Sequence, residues 1–144
     1  MQKEHPDHHD ADLVIKIYDL RREAVMRESR AAVLRDYWPR SPEDALDVLR
    51  QDHPLNRPYR QFTGYWEMVY GMARHGVVHP EFLVENNGEG LVVFARAEPH
   101  LAAIRQATTP RAWRNAEWVA RETETGRGMM ESFRARTAKA LAGK

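Results

Sequence analysis

The sequence contains no cysteine. Without thiols the chain can form neither a disulfide nor a thiolate metal site, and it has no cysteine nucleophile. A chain of this kind is typical of a reducing compartment, so we expect a cytoplasmic location. No run approaches the roughly 18 apolar residues that a membrane-spanning helix needs, and the polar start lacks the basic-then-apolar order of a secretory signal.

Motifs for catalysis and for nucleotide binding are also absent from the sequence. There are only three serines, and none of them stands in a G-x-S-x-G nucleophile elbow. Gly88-Glu89-Gly90 is too short for a P-loop or for a dinucleotide fingerprint. We therefore expect no cofactor, and a non-catalytic protein is favoured, although an enzyme is not excluded.

The charges nearly balance, with 22 Lys and Arg against 21 Asp and Glu and a formal net charge of +1. Such a balance disfavours a dedicated nucleic-acid binder, because those domains are usually strongly basic. The distribution is uneven, since residues 96–144 carry ten basic and five acidic side chains. Positive charge is therefore concentrated toward the C-terminus.

The first apolar pattern predicts a long helix from Asp10 or Asp12 to Trp38. Apolar residues recur at spacings of three, four and seven, which is helical periodicity, and either aspartate could cap the start. Such a helix would be about 40 Å long. That is long for a small domain, so its ends would project or a partner chain would cover part of it.

The second strong pattern predicts a helix from Tyr59 to His75, ended by Gly76. Its residues are apolar on almost every side, which is typical of a buried helix at the centre of a core. Gly64 and Gly71 lie seven residues apart, and glycine inside a helix is unfavourable. Each therefore predicts the close approach of another helix.

Shorter helices are predicted after Ser41-Pro42 and after His79-Pro80, where a cap precedes a proline in the first turn. Further helical segments are predicted at 89–107, with Pro99 as a kink, and at 108–124 and 129–142, separated by Gly126 and Gly128. The predicted fold is all-α, a compact bundle of about six helices with a long N-terminal helix and a central aromatic-rich helix. The predicted divisions are a polar His/Asp-rich arm at 1–12, a helical core at 13–107 and a basic helical extension at 108–144, packed on or beside the core.

Several short motifs between residues 13 and 107 resemble those of a known group of proteins. They are Ile17-Tyr18-Asp19-Leu20-Arg21-Arg22, Tyr37-Trp38-Pro39, Gly64-Tyr65-Trp66-Glu67-Met68, His75-Gly76, Glu81-Phe82, Asn87-Gly88-Glu89-Gly90 and Glu98-Pro99. The group consists of small, helical bacterial proteins of unknown function. The resemblance implies an all-α fold and a bacterial origin but no activity. Some members carry a membrane-spanning N-terminus, which this sequence does not show.

Glu67, with Tyr70 and His75, is the candidate catalytic or ligand-binding set. A carboxylate buried among aromatic side chains can have a raised pKa and act as a general acid or base. The alternative is a structural Glu67 that is paired with an arginine, since an unpaired buried charge is very costly. Arg21, Arg22 and Arg60 are the arginines considered for this pairing.

Histidines supply the weak metal candidates, although no metal site is predicted. His5, His8 and His9 lie among aspartates in the N-terminal arm, and His79 begins a short helix near Glu81. Imidazole and carboxylate ligands suit zinc, nickel or copper. The alternatives are adventitious binding by a polar arm and ordinary helix-end roles.

A basic, tryptophan-containing segment supplies the candidate partner or nucleic-acid face: Arg111, Trp113, Arg114, Trp118 and Arg121. Arginine beside aromatic rings can bind phosphate and stack on bases. The glutamates between these residues instead favour a solvated helix face with pairs such as Glu117 and Arg121.

Together these observations favour a non-catalytic interaction or structural protein whose partner is another protein or a second copy, as in a homodimer. The first alternative is a small-molecule binder or enzyme that uses Glu67 with His75 or Tyr70 in an interhelical pocket. The second is a nucleic-acid-associated protein, which the overall charge disfavours. No membrane partner is expected.

Overall fold

The computed structural model describes residues 3–143, and all regular structure in that range is helical. The range contains nine α-helices, α1 to α9: His8–Arg21, Ala24–Asp36, Pro42–Asp47, Asn56–Arg74, Pro80–Asn86, Glu89–Ala97, Leu101–Ala107, Arg114–Glu122 and Glu124–Ala142. A 3-10 turn at Glu98–His100 joins α6 to α7. The predicted all-α class is confirmed, whereas the predicted number of helices is too low.

The chain becomes helical two residues before the earlier of the two predicted starts. Asp7 is the N-cap of α1, and its carboxylate accepts hydrogen bonds from the backbone N–H of His9 and of Asp10. The Asp10 carboxylate in turn accepts from the N–H of Asp7, which completes a capping box. Residues 8–12 of the predicted arm therefore form the start of α1, while residues 1 and 2 lie outside the described residues.

The single long helix predicted up to Trp38 is wrong, because the chain breaks at Arg22 and Glu23. Glu23 has extended backbone angles, and its carboxylate accepts a hydrogen bond from the N–H of Met26 to begin α2. The apolar spacing continues across the break because residues of both helices face the same core, as the burial of Ile17 and Val33 shows. Periodicity alone therefore does not reveal the break.

Helix α4 is the central element of the core, as predicted. Phe62, Trp66, Val69 and Tyr70 on this helix are fully buried. Helices α2 and α8 pack directly against it. The close approach predicted at Gly71 is present, since a Cβ there would lie 2.9 Å from the side chain of Asn115.

The second half of the chain departs from prediction in where its helices break. Pro99 disrupts the predicted 89–107 helix, as expected, by forming the 3-10 turn between α6 and α7. Gly126 and Gly128 do not separate two helices as predicted, because α9 runs through both. Gly126 allows a close approach there, since a Cβ would lie 2.2 Å from the carbonyl oxygen of Val119.

Helix α9 packs on α5, α6 and α8, so the C-terminal segment docks on its own core. Met130 anchors it and is fully buried, whereas most residues beyond Met130 are exposed or only partly covered. Among residues 3–143, no helix combines the length and the apolar character that crossing a membrane requires.

Candidate functional site

The carboxylate of Glu67 points away from α4 to the start of α8. Its two oxygens accept hydrogen bonds from the backbone N–H of Asn115 at 3.0 Å and of Ala116 at 2.8 Å. Burial raises the pKa of Glu67, and the two N–H donors partly offset that effect. The side chain thus caps a helix that belongs to another part of the chain.

Tyr70 and His75 do not join Glu67 in a common pocket. Tyr70 is fully buried, and its hydroxyl donates to the carbonyl oxygen of Asn87 at 2.8 Å. Burial raises the pKa of this phenol far above its usual value. His75 is exposed at the end of α4, with its Nε2 3.1 Å from Nη2 of Arg74. The three predicted residues therefore have separate structural partners.

Arg21, one of the three arginines considered as a partner of Glu67, belongs to a different cluster. Arg21 and Arg30 both pair with Glu89 in the first turn of α6, with Arg21 Nη2 3.3 Å from the carboxylate. The Arg21 guanidinium also lies 5.3 Å from the centroid of the Trp66 ring. This cluster links α1, α2 and α6, and no local pattern predicts it because the partners lie far apart in the chain.

The candidate metal ligands are dispersed. His5, His8 and His9 are exposed along the start of the chain. Nδ1 of His79 accepts a hydrogen bond from the N–H of Phe82 at 3.2 Å and so caps α5. Within residues 3–143, no three side chains of the types that bind metals come together.

The basic segment near α8 does not present one continuous face. Trp113 is buried, and its Nε1 donates to the hydroxyl of Tyr59 at 3.1 Å. Arg111 and Arg114 are exposed, and Trp118 is half-buried. Arg121 pairs with Glu117 at 3.2 Å, the pairing that the sequence predicted.

An apolar surface groove lies where α1, the start of α2 and α4 meet, and we call it the α1–α4 groove. Its volume is about 370 Å³, and its walls are formed by Leu20, Glu23, Met26, Arg60, Gln61, Gly64, Tyr65 and Met68. Leu20 and Met68, two large apolar side chains at its edges, are 52% and 45% exposed. The Tyr65 hydroxyl donates to the carbonyl oxygen of Ile17 at 2.6 Å and so fixes one wall. The sequence did not predict this groove.

The fold and its surface define the chain as an all-α protein built around one buried aromatic helix. The chain belongs to the family described as a domain of unknown function, DUF4760, whose model matches residues 6–123. This confirms the resemblance to a group of proteins without an assigned function. No curated protein and no solved structure matches the chain.

Proposed function

We propose that the protein is a non-catalytic interaction protein that forms a homodimer through the α1–α4 groove. The observation that carries the proposal is the exposure of Leu20 and Met68 at the edges of a groove whose interior includes buried Met26. Exposed apolar side chains grouped at one groove are a surface that a protein partner can cover. Covering it would remove apolar area from water, the main favourable term in association.

The charges beside the groove favour a second copy as its occupant. Glu23 and Arg60 carry opposite charges and both line the groove. In a two-fold symmetric dimer, the same surface is used twice, so a residue of one copy can face its complement on the other. Glu23 of one copy would then lie near Arg60 of the other, which favours this pairing electrostatically.

Gly64 gives independent support for a helix that approaches from outside the chain. Glycine inside a helix costs about 1 kcal/mol relative to alanine. At Gly71 the packing of Asn115 accounts for the glycine, but a Cβ on Gly64 would have no neighbour within 4 Å. A helix of the second copy that approaches α4 closely would give Gly64 the role that Asn115 gives Gly71.

Sedimentation velocity with a matched pair of glycine variants tests the proposal. Gly64→Leu places a bulky side chain in the groove. Gly128→Leu is the control: it adds the same side chain outside the groove, at another exposed helical glycine with no neighbour within 4 Å. We expect the wild type and Gly128→Leu to dimerise at micromolar concentration and Gly64→Leu to be monomeric. A wild type that stays monomeric throughout this range, or a Gly64→Leu variant that dimerises equally well, would contradict the proposal.

A second variant distinguishes a homodimer from a complex with another protein. Met68→Lys leaves the buried core unchanged and places a charge in the apolar surface, so it should also abolish dimerisation. If the wild type is monomeric and binds a different protein through Met68, that protein and not a second copy occupies the groove.

The cytoplasmic location and the bacterial origin stay predictions. The alternatives based on Glu67 or on the C-terminal arginines gain no support from the geometry.

A further inference from the structure

A second cavity, separate from the α1–α4 groove, lies between α6 and α9 and is bounded by the residues after α2. We call it the α6–α9 cleft. Its volume is about 320 Å³, and it is lined by Trp38, Val92, Arg96, Phe133, Arg136, Thr137 and Ala140. Among the residues that the structure describes, the lining includes two arginines and two aromatic rings but no acid. The cleft therefore combines positive charge with apolar surface.

Arg96 is the unusual residue of the cleft because it is a buried cation without an acidic partner in residues 3–143. Only 7% of its surface is exposed. Its Nη1 donates to the carbonyl oxygens of Leu34 at 3.0 Å and of Tyr37 at 3.2 Å, at the end of α2. Its Nε is buried and has no hydrogen-bond partner. Buried arginines are usually paired, so the absence of an acid requires an explanation.

The surroundings of Arg96 compensate only part of its charge. The carbonyl groups at the end of a helix carry partial negative charge, and the Trp38 ring, 3.5 Å from the guanidinium carbon, offers a cation–π contact. Burial nevertheless lowers the pKa of Arg96 to about 10, as expected for a cation that lacks an anion nearby. At neutral pH the group is still protonated and can bind an anion.

Arg136 on α9 supplies a second positive charge to the same cleft. Its guanidinium carbon lies 5.8 Å from the centroid of the Phe133 ring, and it forms no ion pair with any described residue. The carboxylate of Glu98, which follows α6, is held by Arg134 through two hydrogen bonds at 2.7 and 2.8 Å. Neither arginine of the cleft is therefore paired with an acid among the residues that the structure describes.

We propose that the α6–α9 cleft binds a small aromatic carboxylate. The planar guanidinium fork matches a carboxylate in geometry and charge, which makes Arg96 and Arg136 suitable for its anionic end. Trp38, Phe133 and Val92 provide the apolar surface for its ring. The cleft lies at the lower end of the roughly 300–1,000 Å³ range of ligand pockets, so the ligand is a single ring with one acidic group.

An NMR titration with three compounds tests this assignment. Benzoate carries both the ring and the charge, benzamide keeps the shape without the charge, and acetate keeps the charge without the ring. We expect benzoate to shift backbone amide signals of the residues that line the cleft, with a Kd of about 1 mM or below. Benzamide and acetate should each bind at least roughly tenfold more weakly, because each lacks one of the two contacts.

A matched pair of charge variants on α9 locates the binding. Arg136→Gln removes a lining charge and should weaken benzoate binding roughly tenfold. Lys139→Gln removes a positive charge from the same exposed helix without touching the cleft and should leave the affinity nearly unchanged. Ala140→Leu should fill the cleft and abolish binding, while the near-UV circular dichroism of all three variants should match the wild type.

Any one of four results would overturn the inference. The first three are equal affinities for benzoate and benzamide, equal effects of Arg136→Gln and Lys139→Gln, and signal changes that map away from the cleft. The fourth is a folded Ala140→Leu variant that still binds benzoate. None of these outcomes depends on whether the protein dimerises through the α1–α4 groove.

Discussion

Asp10 shows how one buried charge connects distant parts of the chain. Its side chain is fully buried and accepts hydrogen bonds from the backbone N–H of Asp7 at 2.9 Å and of His79 at 2.9 Å. Lys3 lies 2.8 Å from the same carboxylate. Burial by itself raises the pKa of Asp10, but the hydrogen bonds from Lys3, Asp7 and His79 outweigh it and lower the pKa to about 2. The ionised form therefore fixes the start of α1 to the start of α5.

We predict that Asp10→Asn lowers the free energy of unfolding by about 1–3 kcal/mol at pH 7, because the amide replaces charged acceptors with a neutral group. The pKa of Asp10 is depressed in the folded protein, so its stabilisation is present above the ordinary value of 3.8 and is lost as the pH falls toward 2. Urea denaturation should show the unfolding free energies of the wild type and of Asp10→Asn converging over that interval.

Asp12 provides the control for this measurement because it is an exposed aspartate on the same helix. Asp12→Asn should change the unfolding free energy by less than about 0.5 kcal/mol at pH 7. If the difference in unfolding free energy between the wild type and Asp10→Asn stays constant from pH 7 to pH 2, the charge of Asp10 does not contribute to stability.

At the scale of the elements, two helices are capped by acids from other helices. Glu67 on α4 accepts from the first N–H groups of α8, and Glu81 on α5 accepts from the N–H of Glu124 and of Thr125 at the start of α9, both at 2.9 Å. Helix N-termini carry unpaired N–H groups and partial positive charge, so a carboxylate stabilises them. At α8 this cap matters more, because Trp113 at the N-cap position provides no side-chain hydrogen bond.

We predict that Glu67→Gln destabilises the protein by about 1–2 kcal/mol, because the amide can accept one N–H but places its own NH₂ against the other. Relative to the wild type, Glu67→Gln should speed amide hydrogen exchange more in the first turn of α8 than elsewhere in the protein. Glu122→Gln removes an exposed acid from α8 itself and serves as the control. Equal exchange in the two variants would be inconsistent with a capping role for Glu67.

The sequence predicts helices better than it predicts their ends. Periodicity correctly identified the buried α4, and the Ser-Pro and His-Pro signals correctly identified α3 and α5, since these patterns are local. The break between α1 and α2 was missed because glutamate is a good helix former, and its capping role at Glu23 depends on the extended backbone there. At Gly126 a helix break was predicted where there is none. The glycine is favoured there by close packing against α8 and does not end the helix.

The sites were less predictable than the helices for a related reason. Glu67 stood out in the sequence as an acid on a buried helix, but its partners are backbone groups of α8, which carry no sequence signature. Arg96 was not chosen at all, because nothing in the local sequence shows that the cation is buried without an acid. Both features follow from contacts between residues that are distant in the chain.

At the scale of the whole molecule, α9 lies beyond the matched family region and yet completes the core. The family model ends at residue 123, and α9 begins at Glu124. Met130 on this helix is fully buried, and its neighbour Met129 packs so close to Gly88 that a Cβ there would lie 2.6 Å from the Met129 sulfur. Helix α9 therefore covers apolar surface that α5, α6 and α8 leave open.

We predict that a chain ending at Thr123 does not unfold cooperatively, because removing α9 exposes the apolar faces of the helices beneath it. It should bind the dye ANS and lose near-UV circular dichroism while it keeps helical far-UV signal. In the full chain, Met130→Ala should cost about 2–4 kcal/mol through the cavity that it leaves, whereas the exposed Glu131→Ala should cost little. A truncated chain with the same cooperative urea transition as the wild type would instead show that residues 3–123 form a complete core and that α9 is an addition to it.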